Sequence, residues 1–189
     1  MPDPVSFDHS RAAAFEERLV GALNDGALCL MTSLGYRVGL FDAMADMPAA
    51  GSEAIAARSN LNERYVREWL GAMVSSRVVD YDPRNGTYAL PPEHAAFLTR
   101  AATPANLAVY AQYIPLLGAI EADVFACFRA GGGVPYARFE RFHKVMAEDS
   151  GQTVLPVLKA TFCRWFLASM SGLRTASVSW MPAADGAGR

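Results

Sequence analysis

The sequence predicts a mainly α-helical fold that carries one small β-hairpin, and three observations support this. Apolar residues recur at helical spacing from Phe15 onwards and over most of the chain. Residues typical of strands are confined to 78–90, where they flank an Asn85-Gly86 pair that favours a tight turn. No part of the sequence alternates strands with helices in the way a parallel sheet requires. We therefore expect helices and one hairpin, and no parallel sheet.

The first part of the chain predicts two helices before residue 50. The first helix is expected to begin near His9 and to end at Gly35, because glycine is a poor helix former. A short helix is expected over residues 40–44. A loop rich in Pro, Ala and Gly then leads to Ser52, which we expect to cap the next helix.

Residues 52–98 predict a winged helix-turn-helix unit. Two helices separated by a short polar turn precede a hairpin, and this order is typical of such a unit. The predicted elements are, in order, a helix over 53–59, a turn at Asn60-Leu61-Asn62, a helix over 63–76, and strands over 78–81 and 87–90.

Further helices are expected after the hairpin. Pro92 suits the first turn of a helix, and the apolar stretch 107–128 predicts a long helix that Pro115 kinks. The Gly131-Gly132-Gly133 run follows a helix rather than a strand, so we interpret it as a helix end and not as a phosphate-binding loop. A last helix is predicted over 136–146.

Composition excludes several classes of protein. A formal net charge of −2 and a pI near 5.9 argue against a dedicated nucleic-acid binder. Cys29, Cys127 and Cys163 are too scattered for a disulfide framework or a zinc site. No apolar run is long enough to span a bilayer, and the start Met1-Pro2-Asp3-Pro4 is no signal peptide. We therefore expect a cytoplasmic bacterial protein. Only two of the 17 basic residues are Lys, which a GC-rich genome favours.

The helix over 63–76 raises the question of DNA binding. Arg64 and Arg67 stand where a recognition helix would present cations, but Glu63 and Glu68 lie beside them. Binding to phosphates needs several uncompensated cations. A solvated helix of mixed charge is favoured, and a transcriptional regulator that binds DNA as a dimer through Arg64 and Arg67 stays open as the alternative.

A second group of candidate residues surrounds His143, which lies among aromatic side chains in residues 136–150. It can be a half-buried residue of an aromatic face, or a pocket residue that acts as a general base. Tyr110, Gln112, Tyr113 and His94 likewise carry polar tips on apolar bodies, which is usual for core residues and occasional for residues that line a pocket. The residues alone assign no catalytic, metal-binding or cofactor-binding side chain.

Four segments, taken together, match a known family; they are residues 62–74, 88–96, 112–118 and 142–150. They resemble the N-terminal part of bacterial class I S-adenosylmethionine-dependent methyltransferases with a fused winged-helix domain, proteins often labelled transcriptional regulators. The resemblance covers about Phe15 to Leu158.

The resemblance implies that this region and the cofactor-binding domain have separate roles. In that family this region packs two subunits together and covers the substrate side of the active site, so Tyr113, Tyr136 and His143 are expected to face the methyl acceptor. The acceptor would be a small aromatic or lipophilic molecule. S-adenosylmethionine would be held by a separate Rossmann-like domain, so we expect no cofactor and no turnover in this chain alone, and a homodimer.

Three regions are predicted: a winged-helix dimerisation domain over 1–100, a helical substrate-capping segment over 101–158, and an aberrant, disordered tail over 159–189. Trp180-Met181 can only be encoded TGG-ATG, and the frame displaced by one base permits Leu-Asp-Ala followed by a glycine-rich loop. We therefore hypothesise a frameshift near Lys159. Asp185-Gly186-Ala187-Gly188 resembles a cofactor loop but lacks a preceding apolar strand.

Overall fold

The computed structural model describes residues 7–176, and within the last helix it describes side chains as far as residue 159. The helices within this range are α1 (His9–Val38), α2 (Leu40–Ala45), α3 (Ser52–Ser59), α4 (Glu63–Ser75), α5 (Pro92–Leu98), α6 (Ala108–Ala111), α7 (Tyr113–Gly118), α8 (Glu121–Ala130) and α9 (Phe142–Ala176). Strands β1 (Asp80–Asp82) and β2 (Thr87–Ala89) form the hairpin. The predicted mainly α-helical class with one hairpin is confirmed.

Helix α1 runs without interruption, so the predicted break at Gly35 is wrong. Asp8 caps its start by accepting hydrogen bonds from the backbone N–H groups of Ser10 and Arg11, at 2.9 and 3.1 Å. The helix ends instead at Gly39, which adopts the left-handed conformation with φ +78°. Gly35 serves packing, because a Cβ there would lie less than 3.0 Å from three atoms of the Trp69 ring.

The helix-turn-helix forms over α3 and α4 as predicted, with Asn60 in the left-handed conformation at the turn. Asn62 caps α4 by accepting a hydrogen bond from the N–H of Arg64 at 3.1 Å. The predicted capping role of Ser52 is wrong, because the helix begins at that residue and Gly51 precedes it. The Ser52 hydroxyl instead donates to Oε1 of Glu63 at 2.8 Å, which ties α3 to α4.

The core lies where the C-terminal half of α1 meets α2, α3 and α4. Its members are buried apolar side chains that recur at helical spacing. They include Tyr36, Leu40, Phe41, Met44, Ile55, Ala56, Val66, Trp69, Leu70, Met73, Val79, Leu90, Ala108 and Val109.

The wing is a short antiparallel hairpin in which Tyr81 pairs with Tyr88. The two rings lie 4.8 Å apart, and Gly86 supplies the positive φ, +65°, that its turn needs. Each strand has three residues, fewer than the sequence predicts.

The apolar stretch 107–128 is three short helices, α6 to α8, rather than one kinked helix. Pro115 has no N–H to donate to the carbonyl of Ala111, and the break between α6 and α7 falls there. Helix α8 ends at Ala130 and Gly131 has φ +71°, which confirms that the glycine run ends a helix.

The predicted helix over 136–146 begins later than expected. Residues 136–138 form a 3₁₀ turn, and α9 starts at Phe142 and continues to Ala176, across the predicted boundary at 158/159. The chain divides into two units, residues 1–149 and residues 150–189, and the described part of the second unit is the later part of α9. The cofactor-like residues 185–188 and the Trp180-Met181 pair lie outside the described residues.

Candidate functional site

An aromatic cluster forms at the start of α9 and contains two of the predicted pocket residues in direct contact. We define it as Tyr113, Tyr136, Phe139, Phe142 and His143. The rings of Tyr136 and His143 lie 5.0 Å apart, and those of Tyr136 and Phe142 lie 5.8 Å apart. Tyr113 contacts the cluster through Phe142, and the centroids of these two rings lie 6.4 Å apart. The structure thus brings together all three residues that the sequence singled out.

The members of the aromatic cluster differ in exposure. Tyr136 is 58% exposed, and His143 is exposed with no hydrogen-bond partner among residues 7–159. Tyr113 is half-buried, and its hydroxyl donates to Oδ2 of Asp149 at 3.2 Å. Burial, followed by the negative charge of Asp149, raises the pKa of the Tyr113 phenol above its ordinary value. Tyr113 is therefore fixed and neutral, whereas Tyr136 and His143 are free to contact a ligand.

A polar network that the sequence did not indicate lies next to this cluster. The Tyr36 hydroxyl donates to Oε1 of Glu148, and the side-chain amide of Asn106 donates to the Tyr36 oxygen at 3.2 Å. Gln112 donates to Oε2 of Glu148 at 3.0 Å, and Arg141 donates to Oε1 of Gln112 at 2.9 Å. The network fixes the first turns of α9 against α1 and the break between α6 and α7.

Tyr36 is the most perturbed group of the network. Burial first, and then its hydrogen bond to Glu148 and the charge of that carboxylate, raise the pKa of Tyr36 to about 12. Only 2% of the residue is exposed. The guanidinium of Arg100 lies over the Tyr36 ring, 4.5 Å from the ring centroid. The same guanidinium donates to the Tyr36 carbonyl at 2.8 Å and to the carboxylate of Asp42. Tyr36 therefore has a structural role. Its buried, neutral phenol joins α1 to α9 through the hydrogen bond to Glu148.

The face of α4 that would meet DNA is of mixed charge. Arg64 and Arg67 are both exposed, and Nη1 of Arg67 lies 3.4 Å from Oε1 of Glu63. An apolar cleft of about 560 Å³ opens between α1 and this helix. Its lining includes Met31, Leu34, Val38, Leu61, Tyr65 and Trp69. Such a surface suits a protein contact better than a phosphate backbone.

Within residues 7–176 no group of His, Cys, Asp and Glu side chains is arranged to hold a metal ion. In the same range no single helix is long and apolar enough to cross a membrane. The segments Ala108–Gly118 and Glu121–Ala130 meet that criterion only jointly, with a bend of 51° between them.

Residues 26–100 match the family model of the Rv2258c-like winged HTH domain. This part of the chain is similar to that domain, and the winged helix-turn-helix predicted over residues 52–98 lies within the matched range. A comparison with curated proteins gives no match at the sequence level.

Solved structures that include two methyltransferases share the fold. The mitomycin 7-O-methyltransferase MmcR has a TM-score of 0.59 at 15% identity, over 79% of this chain and 47% of that one. The riboflavin-derivative dimethyltransferase RosA from Streptomyces davawensis has a TM-score of 0.56 at 19% identity, over 81% of this chain and 48% of that one. PigF, solved with SAH, has a TM-score of 0.54 at 22% identity, over 76% of this chain and 46% of that one.

The chain therefore spans less than half the length of the solved structures it matches. The likeness extends past the winged helix-turn-helix, because it covers about four fifths of this chain. The predicted resemblance to the N-terminal part of methyltransferases is thus confirmed at the level of the fold.

Proposed function

We propose that this chain supplies the winged-helix, dimerising and acceptor-covering part of an S-adenosylmethionine-dependent methyltransferase and transfers no methyl group by itself. The observation that carries the proposal is the joint presence of a winged helix-turn-helix domain and of the helices after it in one methyltransferase-like fold. A free-standing DNA-binding domain would not need those later helices.

The aromatic cluster supports a role in covering the acceptor. Tyr136 and His143 are exposed, although aromatic rings gain stability from burial. Together with Phe142 they offer an apolar surface with two polar tips, which suits a small aromatic or lipophilic acceptor. In this proposal Tyr113 and Tyr136 position the acceptor, and His143 is placed to exchange a proton with it.

The proposal that this chain alone transfers no methyl group rests on what binding of the cofactor requires. Binding of the cofactor in this class needs a parallel sheet whose first strand leads into a glycine-rich turn and a helix N-terminus. Residues 7–176 contain a two-stranded antiparallel hairpin as their sheet. S-adenosylmethionine is accordingly assigned to a domain of the parent family that the described residues do not form.

A homodimer is part of the proposal, and an apolar stripe along α1 supports it. We define the stripe as Phe15, Leu19, Leu23, Leu30 and Leu34, which share one face of the helix and are 40–67% exposed. The stripe continues into the apolar cleft beside α4, because Leu34 lines both. Two copies related by a two-fold axis can each place the stripe against the cleft of the other.

Light scattering after size-exclusion chromatography tests the dimer. We expect the chain to elute with twice its 20.4 kDa mass. Leu23→Glu places a charge on the stripe and should give a monomer. Ala14→Glu places the same charge on the same helix, away from the stripe, and should leave the dimer intact. A wild-type monomer, or equal effects of the two changes, contradicts this part of the proposal.

A regulator that binds DNA is the second candidate, and the winged helix-turn-helix fold favours it. Its cations would be Arg64 and Arg67 on α4. The ion pair between Arg67 and Glu63, together with the adjacent apolar cleft, favours the methyltransferase proposal instead.

A further inference from the structure

A cleft separate from the aromatic cluster carries an unusual concentration of basic side chains. It has a volume of about 550 Å³ and lies within the first unit, between the end of α1, the turn after α5 and the start of α9. Its charged and hydrogen-bonding side chains include Arg37, Arg100, Gln112, Arg141, Lys144 and Glu148.

The charges in this basic cleft do not cancel. Asp42 pairs with Arg100, and Glu148 is the one carboxylate in the lining. Among the described side chains, Arg37, Arg141 and Lys144 have no carboxylate within ion-pair distance. The cleft is therefore locally positive, although the chain as a whole has a net charge of −2.

Arg141 is held in place before any ligand arrives. Arg141 donates a hydrogen bond to the side chain of Gln112. Gln112 is only 3% exposed, and its own amide donates to Glu148. Burial, and then the positive charge of Arg37, lower the pKa of Arg141 below its ordinary value. The exposed Arg37 and the half-buried Arg141 thus repel each other, and a bound anion would relieve that repulsion.

Helix geometry separates this cleft from the acceptor surface. Lys144 and Glu148 lie four residues apart and so share one face of α9, and Arg141 directly precedes the helix and lines the same cleft. His143 projects from a different face. The two surfaces can therefore be occupied independently.

We propose that the basic cleft binds the oxyanion of a small molecule, a carboxylate or a phosphate, between Arg37, Arg141 and Lys144. Guanidinium groups match the planar, two-oxygen geometry of such anions. The inference goes beyond the proposed function and does not depend on it, because it concerns a different face of α9.

Calorimetric titration of the full chain with inorganic phosphate and, separately, with succinate tests this proposal and distinguishes the two chemistries. We expect saturable binding of at least one probe. Arg141→Gln and Lys144→Gln should each weaken it by about tenfold, since each removes a charged hydrogen-bond donor. Arg58→Gln and Arg84→Gln remove the same charge at exposed positions outside the cleft and should leave the affinity unchanged.

Lys144 has no hydrogen bond to the described side chains, so Lys144→Gln tests the site without disturbing the polar network. Circular dichroism confirms that each variant is folded. Failure of both probes to saturate overturns the proposal, as does equal weakening by Lys144→Gln and Arg84→Gln.

Discussion

The indole ring of Trp69 lies against Gly35, at a point of α1 where any side chain would occupy the space of the ring. The indole N–H also donates to the carbonyl of Met31 at 2.9 Å, one turn earlier in α1. The same ring packs edge-on against Phe41 at 5.2 Å. One residue of the helix-turn-helix thus sets the distance and the register between α1 and α4.

We expect Gly35→Ala to destabilise the fold by about 1–3 kcal/mol, because the new methyl group overpacks a buried, rigid ring. Gly71→Ala is the matched control, since Gly71 lies within α4 and has open space around it. That change should instead stabilise by up to about 1 kcal/mol through helix propensity. Chemical denaturation measures both, and a Gly35→Ala protein as stable as Gly71→Ala contradicts this packing.

This contact shows where sequence analysis of the fold succeeds and where it stops. The turn at Asn60 and the hairpin at Gly86 were predictable, because local backbone conformation selects those residues. The role of Gly35 was not, since a glycine that ends a helix and one that admits a distant ring have the same local sequence. The capping role expected of Ser52 was wrong for the same reason, because its hydroxyl donates a hydrogen bond to Glu63, eleven residues further along the chain.

The hydrogen bond between Tyr36 and Glu148 predicts a dependence of stability on pH. The pKa of Tyr36 is raised from 10.0 to about 12, so the fold favours the neutral phenol. Its contribution is fully present below pH 10 and is lost as the pH rises towards about 12. The advantage of the wild type over Tyr36→Phe in unfolding free energy should therefore shrink across that interval.

Denaturant unfolding at neutral pH and through this interval measures the difference between the two proteins, which cancels the titration of other groups. Tyr65→Phe is the control, because Tyr65 is 73% exposed, and it should change stability by less than about 0.5 kcal/mol. A Tyr36→Phe difference that stays constant with pH counts against the coupling to Glu148.

The aromatic cluster predicts that its exposed members matter little for stability. Tyr136→Ser and His143→Ala should each cost less than about 1 kcal/mol, because both side chains face solvent. Val145→Ala, on the same helix, should cost about 1.5–3 kcal/mol, because Val145 is fully buried. Thermal unfolding compares the three, and losses of similar size would show that Tyr136 and His143 are core residues.

The candidate site was predictable in part. Tyr113 and His143 could be selected because they lie in two of the four segments that carry the family resemblance, and Tyr136 because it lies within the range 15–158 that the resemblance covers. Tyr36 and Glu148 could not, because they are 112 positions apart and meet only when α1 and α9 pack together. Arg141 and Lys144 resembled ordinary surface charges until their shared cleft was known.

The charge on α4 predicts weak or no DNA binding. Gel retention at low salt should show no salt-dependent complex with double-stranded DNA, because Glu63 neutralises Arg67 and Glu68 lies nearby. Replacing Arg64 and Arg67 by Glu should then change nothing. Retention that falls as salt rises, and that this double change abolishes, would establish the regulator instead.

Calorimetric titration of the full chain with S-adenosylmethionine tests the central claim most directly. We expect no heat beyond dilution, because residues 7–176 form helices and an antiparallel hairpin rather than the parallel sheet that holds this cofactor. Saturable binding in the micromolar range would contradict the account.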